Sequence, residues 1–336
     1  MAVLLYTDER FQEHDTGPHH PERPARLTAA IEGLRRHGLE DALERREPRM
    51  ATDAELQLVH PAGYVSGIDR FCVAGGGQLD GDTIVSTHSA EVARLATGAA
   101  LAAVEALDAG EADAAFLAVR PPGHHATATR SMGFCLFNTA AVAAAALAER
   151  GERVLIVDVD AHHGNGTQDI FYDRDDVAYV SWHQHPLYPG SGRAREFGDG
   201  AGLGYTMNLP MPADATGDHY RRSIDELVAP LAATHGSTWL IISAGFDAHR
   251  RDPLTDLGLT SGDFADITAD LSQLVDAGRR IVLLEGGYDL EAVADSTAAT
   301  VAALLGDRLH PEAPTAGGPG EETITHVTEL RAPLAG

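Results

Sequence analysis

Val157-Asp-Val-Asp-Ala-His-His-Gly-Asn-Gly166, arriving directly after the apolar run Val154, Leu155 and Ile156, decides how the rest of the chain is read. An apolar, largely β-branched run that breaks into two carboxylates and two imidazoles reads as a core strand ending in a polar loop. In an extended chain, side chains two apart share a face, so Asp158, Asp160 and His162 are expected to point the same way. Polar groups stacked on one face of a core strand are costly unless a charge meets them. A divalent metal is the simplest such partner, because carboxylate and neutral imidazole suit zinc or ferrous iron.

Outward from this segment, short apolar runs alternate with Ala/Leu-rich stretches of helical period. That alternation predicts an α/β fold with a mainly parallel central sheet flanked by helices. The strand candidates are Val3–Tyr6, Ala115–Val119, Val154–Asp160, Val177–Trp182, Trp239–Ser243 and Ile281–Leu284. Helices are expected at Pro24–His37, Ala90–Ala109, Asn138–Arg150, Gly217–His235 and Ser261–Ala277. Polar motifs follow five of the strands: Arg120-Pro-Pro-Gly-His-His-Ala126, the opening segment, Trp182-His-Gln-His-Pro-Leu-Tyr-Pro-Gly190, Ala244-Gly-Phe-Asp-Ala-His-Arg-Arg-Asp-Pro-Leu254 and Glu285-Gly-Gly-Tyr-Asp289. Open parallel sheets bind ligands at the carboxyl ends of their strands, so five such loops describe one composite site.

Within it, Asp160 and His162 supply two metal donors, and Asp247 is the natural third, its other reading being a helix N-cap. His124 and His125 sit on a Pro-Gly turn that offers two imidazoles to one cavity, with Asp158 and Asn165 in the right segment to orient them. Tyr288 offers a phenolic donor for a carbonyl oxygen on which negative charge develops.

Composition bounds the function. The 336 residues carry a net charge of −25 and no lysine, so all 25 basic residues are arginine. A surface this acidic argues against direct nucleic-acid binding, which needs clustered basic residues. It suits a salt-rich cytoplasm or follows from GC-rich coding, two readings that composition leaves open. The two cysteines, Cys72 and Cys135, make no disulfide framework, and the first residues show neither a signal peptide nor a membrane span, so a cytoplasmic location is expected. One domain is expected over residues 1–308, with 309–336 as a Pro/Gly-rich linker and short C-terminal tail.

Taken in order, from His14-Asp-Thr-Gly-Pro-His-His-Pro-Glu-Arg-Pro-Ala-Arg26 through Tyr288, these motifs resemble the histone deacetylase superfamily on its arginase-like three-layer αβα fold. Arg120-Pro-Pro-Gly-His-His-Ala126, Gly133-Phe-Cys-Leu-Phe-Asn138 and the Asn165 form of the His-His-Gly-Asn-Gly loop resemble its class II branch more than class I. The resemblance implies a Zn2+-dependent deacetylase, with Fe2+ as the other metal, holding the ion on Asp160, His162 and Asp247. It implies His125 as general base and then acid, His124 as its electrostatic partner, Asp158 and Asn165 as their holders, and Tyr288 as the group that polarises the amide carbonyl. A structural K+ or Na+ is implied at Asp158, Asp160, His162, Ser181 and Trp182. The implied substrate channel comprises Gly133, Phe134, Tyr188 (where the family more often has Phe), Leu254 and, on a loose correspondence, Asp82, with Arg26 on an acetate exit.

The implied substrates are acetylated protein or a small-molecule amide. Acetylpolyamine enzymes of one subgroup carry glutamate after Asp-Pro, where Leu254 follows Asp252-Pro253 here, which favours an uncharged acyl-lysine stem. Ureohydrolases share the fold and an Asp-Ala-His motif but need two manganese ions and further carboxylates; here His163 and Gly164 follow instead. A binding module that keeps the fold would have lost a ligand or Tyr288, and none is missing. Oligomeric state is left open.

Overall fold

Strands such as Val154–Asp158 and Trp239–Ala244 are buried along their whole length, a pattern that requires a parallel sheet covered on both faces. The computed structural model describes residues 1–334 and has such a sheet at its centre. Its strands are β1 (Val3–Tyr6), β2 (Leu43–Arg46), β3 (Ala114–Leu117), β4 (Val154–Asp158), β5 (Val177–Gln184), β6 (Thr206–Met211), β7 (Trp239–Ala244) and β8 (Arg280–Leu284). They lie in the order β2-β1-β3-β8-β7-β4-β5-β6, every neighbour parallel. A two-residue antiparallel hairpin, Gly77–Gln78 with Ile84–Val85, stands apart.

This order positions the site. β3, β8, β7, β4 and β5 are consecutive in space, so their carboxyl ends share one edge and bring the five polar loops together. Helices flank the sheet: Ala25–Arg36 packs on Leu290–Leu305 and that on Ser261–Ser272, while Ser89–Asp108 packs on Thr139–Ala148. Asn138 starts the last of these, its side chain accepting from the Ala141 N–H at 3.0 Å.

Several boundaries differ from the expectation for physical reasons. Pairing of β4 ends at Asp158, not Asp160, because the chain turns there and Asp160 and His162 meet across the turn. β5 continues past Trp182 to Gln184, which puts His183 inside the sheet. The stretch 217–235 is helical throughout but widens to a π-helical turn at Ile224–Val228, just ahead of Pro230, which has no N–H to donate. The helix from Ser261 stops at Ser272. The edge strands β2 and β6 carry polar residues and, in β6, Pro210, so they lack the apolar pattern of a central strand. Helices Ala62–Val73, Asn165–Phe171, Leu290–Leu305 and Glu321–Arg331 were also unforeseen.

Residues 309–320 contain neither helix nor strand, yet they lie along the domain surface. Glu312 accepts from His249 Nε2 and Arg250 Nη2, each at 2.6 Å, and the Thr315 N–H donates to Asp263 Oδ1 at 2.8 Å. Glu321–Arg331 then buries Ile324 and Val327 in the main core. No helix among the described residues is long and apolar enough to cross a membrane. If this docked helix is part of the cooperative unit, Ile324→Ala lowers unfolding stability by about 2–5 kcal/mol in a single two-state transition. A denaturant titration with unchanged slope checks it.

Candidate active site

Three strand ends converge on one cluster. After β4, the His162 N–H donates to Asp160 Oδ1 at 2.8 Å and folds the imidazole back, so that His162 Nδ1 lies 3.1 Å from Asp160 Oδ1. From the loop after β7, Asp247 Oδ2 lies 3.0 Å from the same nitrogen, and its Oδ1 accepts from the Ala161 N–H at 2.7 Å. The loop after β8 contributes the Gly286 N–H, donating to Asp160 Oδ2 at 2.8 Å. One donor atom from each of Asp160, His162 and Asp247 lies within 4.8 Å of the other two.

Both carboxylates are buried, and their mutual repulsion calls for a cation. Burial and the Asp160 charge push Asp247 up to about 7. Burial by itself would lower His162, but its hydrogen bonds to Asp160 and Asp247 prevail and raise it to about 10. In other words, the cluster draws in a positive charge, by protonation when nothing else supplies it. The donors, two carboxylate oxygens and one imidazole nitrogen, suit a divalent zinc or iron ion. Space around them is kept by glycine: a Cβ at Gly286 would sit 2.2 Å from Asp247 Oδ2 and 2.5 Å from Asp160 Oδ2. The residues fit the metal that the sequence anticipates.

Beside this cluster, the loop after β3 carries the histidine pair, ring centroids 4.0 Å apart. His124 Nδ1 lies 3.0 Å from Asp158 Oδ2, which also accepts from the Tyr179 hydroxyl at 3.1 Å. His125 Nδ1 lies 2.9 Å from Asn165 Oδ1. The two rings are driven apart in basicity. Burial opposes charge on His124, but Asp160 and Asp158 outweigh it and raise it well above the usual histidine range. His125 is pushed well below that range by burial and by the neighbouring His124 and His162. Glu285, unassigned from sequence, holds the turn: its Oε2 accepts from the Gly123 N–H at 2.6 Å and the His124 N–H at 3.2 Å. Burial raises Glu285 to about 7.

Tyr288 stands opposite, its ring 5.9 Å from that of Phe134 in an edge-on arrangement. Burial holds its phenol well above the ordinary range, so it remains an O–H donor. Tyr188 is edge-on to His125 at 5.2 Å and 38% exposed. Gly133 adopts φ +54°, and a Cβ there would lie 2.3 Å from His125 Cδ2, so only glycine lets the backbone pass this close to the ring. His20, unforeseen, packs edge-on against Phe134 at 4.6 Å. Asp82 lies in the neighbouring loop, its carbonyl accepting from His20 Nε2 at 3.0 Å and its side chain from the Thr83 hydroxyl at 3.0 Å. Leu254 is exposed at the end of the loop after β7.

Arg26 packs against Tyr288. Its guanidinium carbon is 5.0 Å from the Tyr288 ring centroid, Nε donates to the Gly287 carbonyl at 2.5 Å, and Nη1 donates to Glu22 at 3.1 Å. Glu22 in turn accepts two bonds from Arg120, at 2.6 and 2.7 Å, an ion pair missed in the sequence. Of the expected monovalent-cation residues, Ser181 lies opposite Asp158 in register, its hydroxyl 2.9 Å from His183 Nδ1. The Trp182 side chain is elsewhere: its indole N–H donates to Ser223 Oγ at 2.8 Å, which leaves only main-chain atoms for such an ion. His163 faces away from the cluster, bonded to Ser191 and Gln168 at 2.9 and 3.0 Å.

The sequence profile of the histone deacetylase domain matches residues 20–304, most of the chain. The chain belongs to the histone deacetylase family. Histone deacetylase 15 of Arabidopsis thaliana is 39% identical over 324 residues, covering 93% of this chain and 58% of that protein. A probable deacetylase of Archaeoglobus fulgidus is 37% identical, covering 91% and 87%, and the human polyamine deacetylase HDAC10 is 38% identical, covering 94% and 49%. This chain thus spans little more than half of the Arabidopsis relative. The crystal structure of the HDA15 HD domain superposes with a TM-score of 0.91 at 36% identity, covering 98% of this chain and 94% of that one. The family is one of hydrolases that act on acyl amides and are generally metal-dependent, on an arginase-like α/β fold.

The glycine cradle yields a test. Gly286→Ala is expected to leave the fold intact by circular dichroism but to lower metal per purified chain at least about tenfold in elemental analysis, as for loss of an oriented ligand set.

Proposed function

We propose that this chain is a deacetylase that hydrolyses acetyl-lysine amides, releasing acetate and a free amine. The observation that carries the proposal is the convergence, at one sheet edge, of the Asp160, His162 and Asp247 donors, a histidine pair held by Asp158 and Asn165, and the Tyr288 phenol. A zinc or ferrous ion on Asp160, His162 and Asp247 would supply Lewis-acid polarisation of the scissile carbonyl and of the attacking water.

The protein's own groups divide the proton work. Asn165 Oδ1 only accepts, so His125 carries its proton on Nδ1 and keeps a lone pair on Nε2. Nε2 takes the proton from the attacking water and returns it to the leaving amine, which departs neutral. His124, backed by the Asp158 carboxylate, retains its Nδ1 proton and places positive charge beside the developing negative charge. Tyr288 donates its hydroxyl hydrogen to the carbonyl oxygen as that charge develops. Gly133, Phe134 and Tyr188 line the path of the methylene stem, and Arg26 stands behind the reacting carbonyl on the side assigned to acetate departure.

Leu254, exposed and uncharged at the mouth, supports an acyl-lysine stem over a cationic polyamine. The polyamine reading draws on the relative named a polyamine deacetylase. A binuclear manganese enzyme fits less well: the other donor group among the described residues, His124, Cys135 and Glu285, brings one carboxylate where a second manganese site needs several. Acetate release from an acetyl-lysine peptide, acetylspermidine and acetylputrescine, measured side by side in high salt, tests the assignment. The peptide is expected to turn over fastest, and silence on all three rejects deacetylation. Tyr288→Phe is expected to cut kcat about a hundredfold or more with metal content unchanged.

A further inference from the structure

Tyr288 follows two glycines and precedes the helix Leu290–Leu305, so its own chain leaves its backbone soft on one side. The group that fixes it comes from the neighbouring loop. Asp252, buried in the loop after β7, accepts from the Tyr288 N–H on Oδ2 at 2.7 Å and from the Leu254 N–H on Oδ1 at 3.0 Å. The Asp252 N–H donates to the His249 carbonyl at 2.8 Å, which anchors the carboxylate to the turn that begins at Asp247. No basic side chain pairs with Asp252 among the described ion pairs; main-chain N–H groups serve as its donors. A buried carboxylate kept for main-chain donors alone is an expensive way to close a loop, and an uncharged residue would close a merely structural one more cheaply.

We propose that Asp252 is a positioning residue for catalysis, clamping the Tyr288 main chain to the loop that carries Asp247 and the exposed Leu254. The proposal rests on Tyr288 acting as the carbonyl-polarising donor. Asp252 touches no reacting atom; it sets where the phenol sits relative to the carbonyl oxygen. Misplacement of such a donor by about 1 Å costs on the order of a hundredfold in rate.

The test compares Asp252→Ala, Asp252→Asn, Tyr288→Phe and the Ala/Phe double variant on acetyl-lysine and trifluoroacetyl-lysine peptides. The fluorinated acyl group makes its carbonyl electrophilic without help, so a defect in phenol placement is largely bypassed. Asp252→Ala is expected to lower kcat on the acetyl peptide by about 10- to 100-fold, with KM and metal content within about twofold. On the trifluoroacetyl peptide its loss is expected to be at least about tenfold smaller, and adding it to Tyr288→Phe is expected to cost no more than about twofold further. Asp252→Asn retains one acceptor oxygen and should lose less than the alanine variant. Equal losses on both substrates, or losses that multiply with those of Tyr288→Phe, overturn the proposal. Full activity of Tyr288→Phe instead overturns the reading beneath it. If the alanine variant does not fold, the asparagine variant is read by the same substrate ratio and the same double-variant comparison.

Discussion

The structure depends on a concentration of buried negative charge. Asp158, Asp160, Asp247 and Glu285 are all buried where neighbouring parallel strands end. Each would cost several kcal/mol if left alone. Hydrogen bonds answer part of this: Ala161 and Gly286 N–H groups serve Asp247 and Asp160, while Gly123 and His124 serve Glu285. His124 answers Asp158. The remainder, between Asp160 and Asp247, calls for a cation at the point where His162 also arrives. The proposed metal site answers that electrostatic demand, and the histidine pair lies beside it.

Sheet order converts this demand into an active site. Because β3, β8, β7, β4 and β5 are adjacent and parallel, residues nearly 130 positions apart, such as Asp160 and Gly286, make direct hydrogen bonds. The apolar strands beneath supply rigidity, and the loops supply chemistry. Rigid support of this kind is what lets a phenol and an imidazole keep their separation through a reaction.

Much of this was legible in the chain because strong signals coincided. The apolar runs Val154–Val157 and Trp239–Ile242 are too uniform for a half-exposed strand, and a carboxylate donor follows each within five residues, Asp160 after the first and Asp247 after the second, so the strand and its donor are read from one short stretch. Most of what was missed had no local signal. β2 and β6 are edge strands whose polar residues hide their pairing, and Glu22 with Arg120 meets across 98 positions. Glu285 had the signal, a carboxylate directly after an apolar strand, but the adjacent glycines and Tyr288 drew attention from it. Trp182 illustrates the converse: correspondence named the residue, while the direction of its side chain depends on the strand face.

One divalent ion, held by two carboxylates and one imidazole, is proposed to balance this buried charge. Anomalous diffraction from zinc-loaded crystals, recorded above and below the metal edge, addresses it directly. A single strong peak is expected about 2.0–2.2 Å from Asp160, His162 and Asp247 donor atoms. Two peaks about 3.5–4 Å apart, as in a binuclear hydrolase, or no peak among these residues, would contradict it.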